Sequence, residues 1–423
     1  MSLLNPASIA VVGASAEEKK VGHYVLKNII TQGYTGIVYP VNPKGGEILG
    51  KPTFASISAI PGPVDLAVVV TPAKAVNAIA EECGAKGVKT LVVISAGFGE
   101  LGTEEGRAME DELAATVKKH GIQLIGPNCL GVLRPSIGMN ASFAENLEGE
   151  GGVALLSQSG AMVVALLDAA SGLGLGFSLV VSMGNKATMD ECDFLEICRD
   201  DPKTTAIGMY LESVRDGRRF LQLAADVCRT KPVVLIKSGV SKRGSKAVSS
   251  HTGALAGSDA SVDAACIQTG VRRTRTTEEF MDVLRAVSSQ PPLLSQRIAV
   301  ITNAGGPGIL ATDGAERSKL TLASLELVNR DALKTALPAA ASVANPIDVL
   351  GDALAERYET ALAACVNDPN IDGIAVVLTP QVMTPELEIA RAIVKTMQSR
   401  RMMPVVTSFM GEKSIGEAAG FLL

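Results

Sequence analysis

One recurring unit constrains this chain more than anything else in it: a short, unbroken apolar run, then a turn, then a helical pattern. In the first stretch the runs fall at 8–12, 36–41, 66–70, 90–94 and 123–125. Apolar runs that do not alternate with polar residues must be covered on both faces, which is the situation of a parallel sheet wound between helices. A second series begins after Glu148-Gly149-Glu150-Gly151-Gly152, with runs at 153–156, 177–181, 206–211 and 233–237. A helix over 260–269 follows, with Ser258 or Asp259 as its cap and Gly270 as its stop. The stretch 288–296, with Pro291-Pro292, reads as a linker, and a third series follows at 297–302, 322–325, 373–378 and 405–408. The expected fold is therefore α/β with three consecutive parallel-sheet domains, at 1–148, 149–290 and 291–423. The 42 glycines, 3% aromatics and absent Trp fit tight strand-to-helix turns. The last residues, Phe421-Leu422-Leu423, follow a helical pattern directly, so the third domain is expected to lack its C-terminal end.

Composition narrows the function classes. A net charge of −5 argues against nucleic acid as the main partner. Seven scattered cysteines, odd in number and without a CxxC pair, suit reduced thiols in a cytoplasm rather than a disulfide framework or a zinc site. The N-terminus is too short and uncharged for a signal peptide. Residues 169–185 carry no charge, but Gly and Ser interrupt them, so a membrane span is not expected.

The candidate sites sit at the ends of the apolar runs. Val11-Val12-Gly13-Ala14-Ser15 ends the first, where a glycine turn lets backbone approach a phosphate and aims a helix N-terminus at it. It is not a full GxGxxG, and a tight turn without a ligand fits it equally well. Lys20, Pro40-Val41-Asn42-Pro43-Lys44, Thr71-Pro72 and Ser95-Ala96-Gly97-Phe98 follow at the same expected sheet edge. No acidic residue ends the second run to hold a ribose, which argues against NAD and for a more phosphorylated nucleotide. Ser157-Gln158-Ser159-Gly160 forms either an anion site or a plain serine cap. Glu212, directly after the run 206–211, is either a solvated carboxylate or the group that orients a histidine. That histidine is His251, one of three in the chain, in the polar, glycine-flanked segment Ser249-Ser250-His251-Thr252-Gly253-Ala254. Its surroundings suit a nucleophile that meets a phosphate. Asn303-Ala304-Gly305-Gly306-Pro307-Gly308 reads either as another phosphate turn or as a packing turn.

Eight motifs in this order resemble those of the NDP-forming acyl-CoA synthetases, relatives of succinyl-CoA synthetase, over the whole chain. They are Val12-Gly13-Ala14-Ser15, Tyr39-Pro40-Val41-Asn42-Pro43-Lys44, Ser95-Ala96-Gly97-Phe98, Gly126-Pro127-Asn128-Cys129, Ser157-Gln158-Ser159-Gly160, Tyr210-Leu211-Glu212-Ser213, Ser250-His251-Thr252-Gly253-Ala254 and Thr302-Asn303-Ala304-Gly305-Gly306. The resemblance implies a Rossmann-like CoA-binding domain followed by two flavodoxin-like ligase domains. It implies coenzyme A on Gly13, Ala14, Ser15, Lys20, Val41, Asn42, Lys44, Pro72, Ser95 and Ala96, with Asn128 near the thioester. His251 would be phosphorylated and Glu212 would hold its ring. Phosphate would lie on Ser157, Gln158, Ser159 and Gly160, with Gly253 and Ala254 nearby. ATP or ADP with Mg²⁺ would bind an ATP-grasp module, absent from the three series, in a further domain or a partner subunit. No metal is expected on this chain, and a homo-oligomer is expected. The acyl pocket would lie near Asn128 and Ser182-Met183-Gly184-Asn185. Two other readings stay open: the regulatory region of a protein acetyltransferase, and a CoA sensor.

Overall fold

The computed structural model describes residues 3–147, 149–241, 243–244, 258–398, 403–411 and 413–422. The chain divides into two units, Met1–Ser288 and Ser289–Leu423. Its architecture is α/β with mostly parallel sheets, as the recurring apolar runs require.

The first sheet has five parallel strands in the order Ile37–Val41, Ser8–Val12, Leu66–Val69, Thr90–Val93, Gln123–Ile125. All but Ile37 and Gln123 of these strand residues are buried, which is why they read as unbroken apolar runs. Strand order reverses between Ser8–Val12 and Leu66–Val69, so a crevice opens there at the strands' carboxyl ends.

The second sheet repeats this pattern and adds to it. Its order is Arg272–Thr274, Val233–Lys237, Ala206–Leu211, Glu150–Ser157, Phe177–Ser182, Gly131–Arg134, Met139–Ser142. The first five strands are parallel; the last two are an antiparallel pair. The reversal falls between Glu150–Ser157 and Ala206–Leu211. The antiparallel pair comes from chain that the apolar runs assign to the first domain. Its short strands lack an apolar run, because Gly131, Arg134 and Asn140 lie in them. A single apolar core runs from Ile9, Val68 and Ile125 of the first sheet to Leu156, Leu179 and Ile207 of the second.

A buried ion pair fastens the added strands. Arg134 donates to Asp201 through two nitrogens, at 2.6 and 2.9 Å, and to the Ser178 carbonyl at 2.9 Å. The two side chains are 6% and 1% exposed. Burial pushes the Asp201 carboxyl up, but hydrogen bonds from Arg134 and Thr204 outweigh it and hold it below its ordinary value.

In the second unit the order is Thr321–Leu322, Arg297–Thr302, Gly373–Leu378, Val405–Phe409, and Ile347–Asp348 pairs with the end of Arg297–Thr302. The run expected at 322–325 shrinks to those two paired residues at the edge. Ile301, Ile347, Tyr358, Leu362, Val376 and Ile389 fill its core. Among the described residues no helix is long and apolar enough to cross a membrane.

Removing one partner of a buried pair strands the other charge. Arg134→Ala should cost about 3–5 kcal/mol in urea unfolding. Because the Asp201 carboxyl is lowered on folding, its contribution is complete above the unfolded carboxyl range and is lost as pH falls through the folded value. Wild-type stability should therefore drop faster than that of the variant as the pH is taken below about 4; parallel pH profiles would contradict this.

Candidate active site

At the first sheet's reversal point, Gly13 has φ +92° and donates its N–H to the Val41 carbonyl at 3.0 Å. A Cβ there would lie 3.1 Å from Val70 and Thr71 side-chain carbons. The helix Val21–Thr31 begins against this turn, since a Cβ on Gly22 would fall 2.0 Å from the Gly13 carbonyl oxygen. The helix cap is Lys20, which makes no side-chain capping bond. Asn42 donates to the Ala14 carbonyl at 2.7 Å and accepts from the Lys44 N–H at 2.9 Å, so its amide braces the turn. His23, which the sequence reading passed over, is buried with Nδ1 3.1 Å from the Ser15 carbonyl. Ser95 donates to the Thr71 carbonyl at 2.5 Å. The Thr71 hydroxyl is buried without a hydrogen-bond partner among the described residues. Lys20, Lys44, Pro72 and Ala96 are exposed and Val41 is buried. The glycine cradle, the uncapped helix start and the orphaned hydroxyl share one crevice, which fits a phosphorylated ligand.

At the second sheet's reversal point the side chains are already engaged. Ser157 donates its hydroxyl to the Ser159 carbonyl at 2.8 Å and accepts the Ser159 N–H at 3.1 Å. Its O–H is therefore turned inward, against the expectation that it donates to an anion. The Gln158 oxygen accepts the N–H groups of Glu212 and Ser213 at 2.9 and 3.1 Å, and its Nε2 donates to the Ser213 hydroxyl at 3.2 Å. Gln158 is thus a clamp between two strand ends. Ser159 caps the helix Gly160–Gly172 by accepting from the Met162 N–H. What this turn offers an anion is the helix start at Gly160 and the proton of the Ser159 hydroxyl.

Glu212 is 7% exposed, not solvated, and its carboxylate makes no hydrogen bond among the described residues. Its backbone is held from three directions. Gln158 holds the N–H, buried Lys237 donates to its carbonyl at 2.7 Å, and Lys186 donates to the next carbonyl, that of Ser213, at 2.9 Å. Burial, then the neighbouring Arg273 charge, pull the Lys237 ammonium below its ordinary pKa. Lys186 pairs with Glu191 at 2.8 Å, with the two side chains 4% and 0% exposed, and the other Glu191 oxygen accepts the Arg215 N–H. Sequence reading missed Lys186, Glu191 and Lys237. The one signal was charge beside apolar strands, in Asn185-Lys186 and at the end of 233–237. His251, Gly253 and Ala254 lie outside the described residues.

Between the two crevices, Asn128, with φ +57°, donates to the Asn185 side-chain oxygen at 3.2 Å. Gly184, at φ +58°, is required here, since a Cβ would lie 2.2 Å from the Pro127 carbonyl oxygen. A cavity of about 320 Å³ lies beside this contact, lined by Glu110, Gln158, Asn185, Lys186, Ser213 and Arg215. A larger one, about 750 Å³, is lined by Lys118, Met189, Asp190, Asp193 and Arg219 and touches none of the expected site residues. Of the two, only the smaller cavity is lined by an expected site residue, Gln158.

The second unit repeats the clamp. Thr302 donates to the Ala304 carbonyl and accepts its N–H, at 3.0 and 3.1 Å. Asn303 exchanges two hydrogen bonds with the Thr379 backbone, at 2.8 and 2.9 Å, across that sheet's reversal point. The helix Gly305–Arg317 then begins without a side-chain cap.

The geometry can be set beside known proteins. Family models match as a CoA binding domain over 7–135, a succinyl-CoA ligase like flavodoxin domain over 150–287 and a ligase-CoA domain over 298–423. The α subunit of acetate–CoA ligase [ADP-forming] I of Pyrococcus furiosus is 42% identical, covering all of this chain and 92% of the relative. Acetate–CoA ligase [ADP-forming] I of Archaeoglobus fulgidus is 43% identical over 99% of this chain, which spans only 60% of that longer protein. In structure, the dinucleotide forming acetyl-coenzyme A synthetase 1 of Ca. Korarchaeum cryptofilum, solved with phosphate and ADP, superposes with a TM-score of 0.96 at 35% identity, over all of this chain and 91% of that one.

Gln158→Leu would leave two buried N–H groups unpaired, at about 1–3 kcal/mol each. The expected loss is about 2–6 kcal/mol in chemical denaturation, and a loss below about 0.5 kcal/mol would contradict a stabilising clamp.

Proposed function

As this chain belongs to the family of ADP-forming acyl-CoA ligases, matching their α region, we propose that it is the α part of such a ligase. The reaction is carboxylic acid + CoA + ATP ⇌ acyl-CoA + ADP + phosphate. The observation that carries the reading is Glu212: a buried carboxylate that makes no hydrogen bond among the described residues, with its N–H held by Gln158 and its carbonyl by Lys237 at a sheet reversal beside a helix start.

Residues 1–148 would bind CoA, 149–290 would carry the phosphohistidine segment, and 291–423 would form the second ligase domain. The CoA phosphates would lie over Gly13, Ala14 and Ser15 at the start of Val21–Thr31, with Lys20 and Lys44 supplying positive charge. Asn42 shapes that turn, and Val41, Pro72, Ser95, Ala96 and Asn128 line the path of the remainder.

In the direction of ATP synthesis, a phosphate oxygen attacks the thioester carbonyl, the C–S bond breaks, and CoA leaves as its thiol. The acyl phosphate then transfers its phosphoryl group to a ring nitrogen of His251, releasing the carboxylate. Glu212 accepts a hydrogen bond from the other ring nitrogen, fixing the tautomer and stabilising the cationic phosphohistidine. The N–H groups at Gly160 and the Ser159 hydroxyl face the phosphoryl oxygens and need no reorganisation as charge develops. Phosphohistidine finally passes its phosphoryl group to ADP. The nucleotide and Mg²⁺ would be held by an ATP-grasp module, in a further domain or a separate subunit; Mg²⁺ there neutralises phosphate charge. The seven free cysteines suit a reducing cytoplasm, and the assembly is read as a homo-oligomer. A sensor or an acetyltransferase regulatory region leaves the braced Glu212 without a task.

The test supplies the chain and its ATP-grasp module with γ-labelled ATP and Mg²⁺. Acid-labile label should map to His251 and discharge with a carboxylic acid plus CoA. His251→Asn should keep CoA binding and take no label; label elsewhere, or unchanged turnover, would sink the mechanism. Glu212→Gln should slow labelling by about a hundredfold, and a wild-type rate would return Glu212 to a structural role.

A further inference from the structure

The contact between Asn128 and Asn185 ends in two carboxylates, and this fixes which way both amides face. The Asn185 Nδ2 lies 2.7 Å from Glu100 Oε2 and 2.7 Å from Glu110 Oε2. An ionised carboxylate only accepts hydrogen bonds. Each of these is itself anchored by backbone donors: Glu100 takes the N–H groups of Gly97 and Phe98, and Glu110 takes that of Gly99 at 3.0 Å. Burial pushes the Glu100 carboxyl up, but hydrogen bonds from Asn185 and from the Gly97 and Phe98 backbone outweigh it and keep it below its usual range. Both protons of the Asn185 amide are therefore committed to carboxylates, and its oxygen must face away from them, toward Asn128.

The constraint passes on by one step. Facing an oxygen, Asn128 must present its NH₂, which it does at 3.2 Å. Its own Oδ1 and one N–H then remain, and among the described residues that oxygen has no hydrogen-bond partner. The backbone cannot relax the arrangement, because Asn128 is held at φ +57° with its N–H donated to the Ser95 carbonyl at 3.0 Å.

We infer that Glu100 and Glu110, acting through Asn185, turn the Asn128 Oδ1 away from Asn185 and present it as the acceptor for a donor on the pantetheine arm of CoA. The inference rests on the reading that the chain binds CoA with Asn128 beside the reacting end. The arm carries three kinds of donor, amide N–H, the pantoyl O–H and the terminal S–H, and Asn128 takes one of them. Glu100, Glu110 and Asn185 are positioning residues, and only Asn128 touches the substrate.

The test is binding to the chain with its ATP-grasp module, using CoA, desulfo-CoA and adenosine 3′,5′-bisphosphate, which lacks the arm. Asn128→Leu should weaken CoA about tenfold and leave the bisphosphate unchanged. In the double variant E100Q/E110Q each glutamine keeps one acceptor oxygen and replaces the other with NH₂, so nothing dictates how Asn185 faces. That variant should weaken CoA about three- to tenfold, again with the bisphosphate unchanged. If the donor is the thiol, wild-type binding of desulfo-CoA already shows the loss; if it is an arm amide or the arm's hydroxyl, desulfo-CoA binds as CoA does. Wild-type affinity for CoA in E100Q/E110Q overturns the relay, and so does an equal loss of CoA and bisphosphate, which marks a merely structural role. Failure of the wild-type protein to bind CoA falls on the ligase reading, so the two failures are told apart.

Discussion

The side-chain amide of Gln158 is the interaction on which the site depends. It crosses from the end of Glu150–Ser157 to the end of Ala206–Leu211, where the strand order reverses and two loops diverge. A reversal point leaves backbone donors that no neighbouring strand can satisfy. An amide has both an acceptor and a donor end, so one buried side chain settles the Glu212 and Ser213 N–H groups and the Ser213 hydroxyl together. Without it, Glu212 would sit on an unpaired turn in a low-dielectric setting, where unpaired polar groups are most costly.

The same solution appears again in the second unit. Asn303 bridges to Thr379 as Gln158 bridges to Glu212, and Thr302 folds over Ala304 as Ser157 folds over Ser159. The first sheet solves its reversal differently, with glycines. Gly13 and Gly22 allow helix and turn to touch, and Asn42 braces the turn from the neighbouring strand. Two of the three crevices are therefore closed by an amide, and the third is left open by glycine.

Much of this was legible in the residues. The strands Ser8–Val12, Gln123–Ile125, Ala206–Leu211, Val233–Lys237, Arg297–Thr302 and Gly373–Leu378 agree with the apolar runs residue for residue, because nearly all of their residues are buried. The pair Gly131–Arg134 and Met139–Ser142 was not legible. Its strands sit at a sheet edge, carry Arg134 and Asn140, and owe their place to a partner at Asp201 far along the chain. The turn motifs stood at the sites expected of them, but their side chains did not all have the expected duty. Ser157 and Gln158 read as phosphate ligands in the sequence, and the fold gives both side chains internal hydrogen bonds that residue type does not foretell.

What the sequence determined alone is the periodicity: apolar runs too continuous for anything but covered parallel strands, and glycines where a Cβ would strike backbone. Those are local matters of side-chain volume and solvent exclusion. What the tertiary structure decided is pairing. Lys186 finds Glu191 and then Ser213, Lys237 finds the Glu212 carbonyl, and Glu100 and Glu110, from the helical segments that follow the strand Thr90–Val93, dictate the face of an amide after the second sheet's strand Phe177–Ser182. A buried polar group has no low-energy state of its own. Its role is set by whichever partner the fold brings within about 3 Å, and that is a property of the assembled sheets.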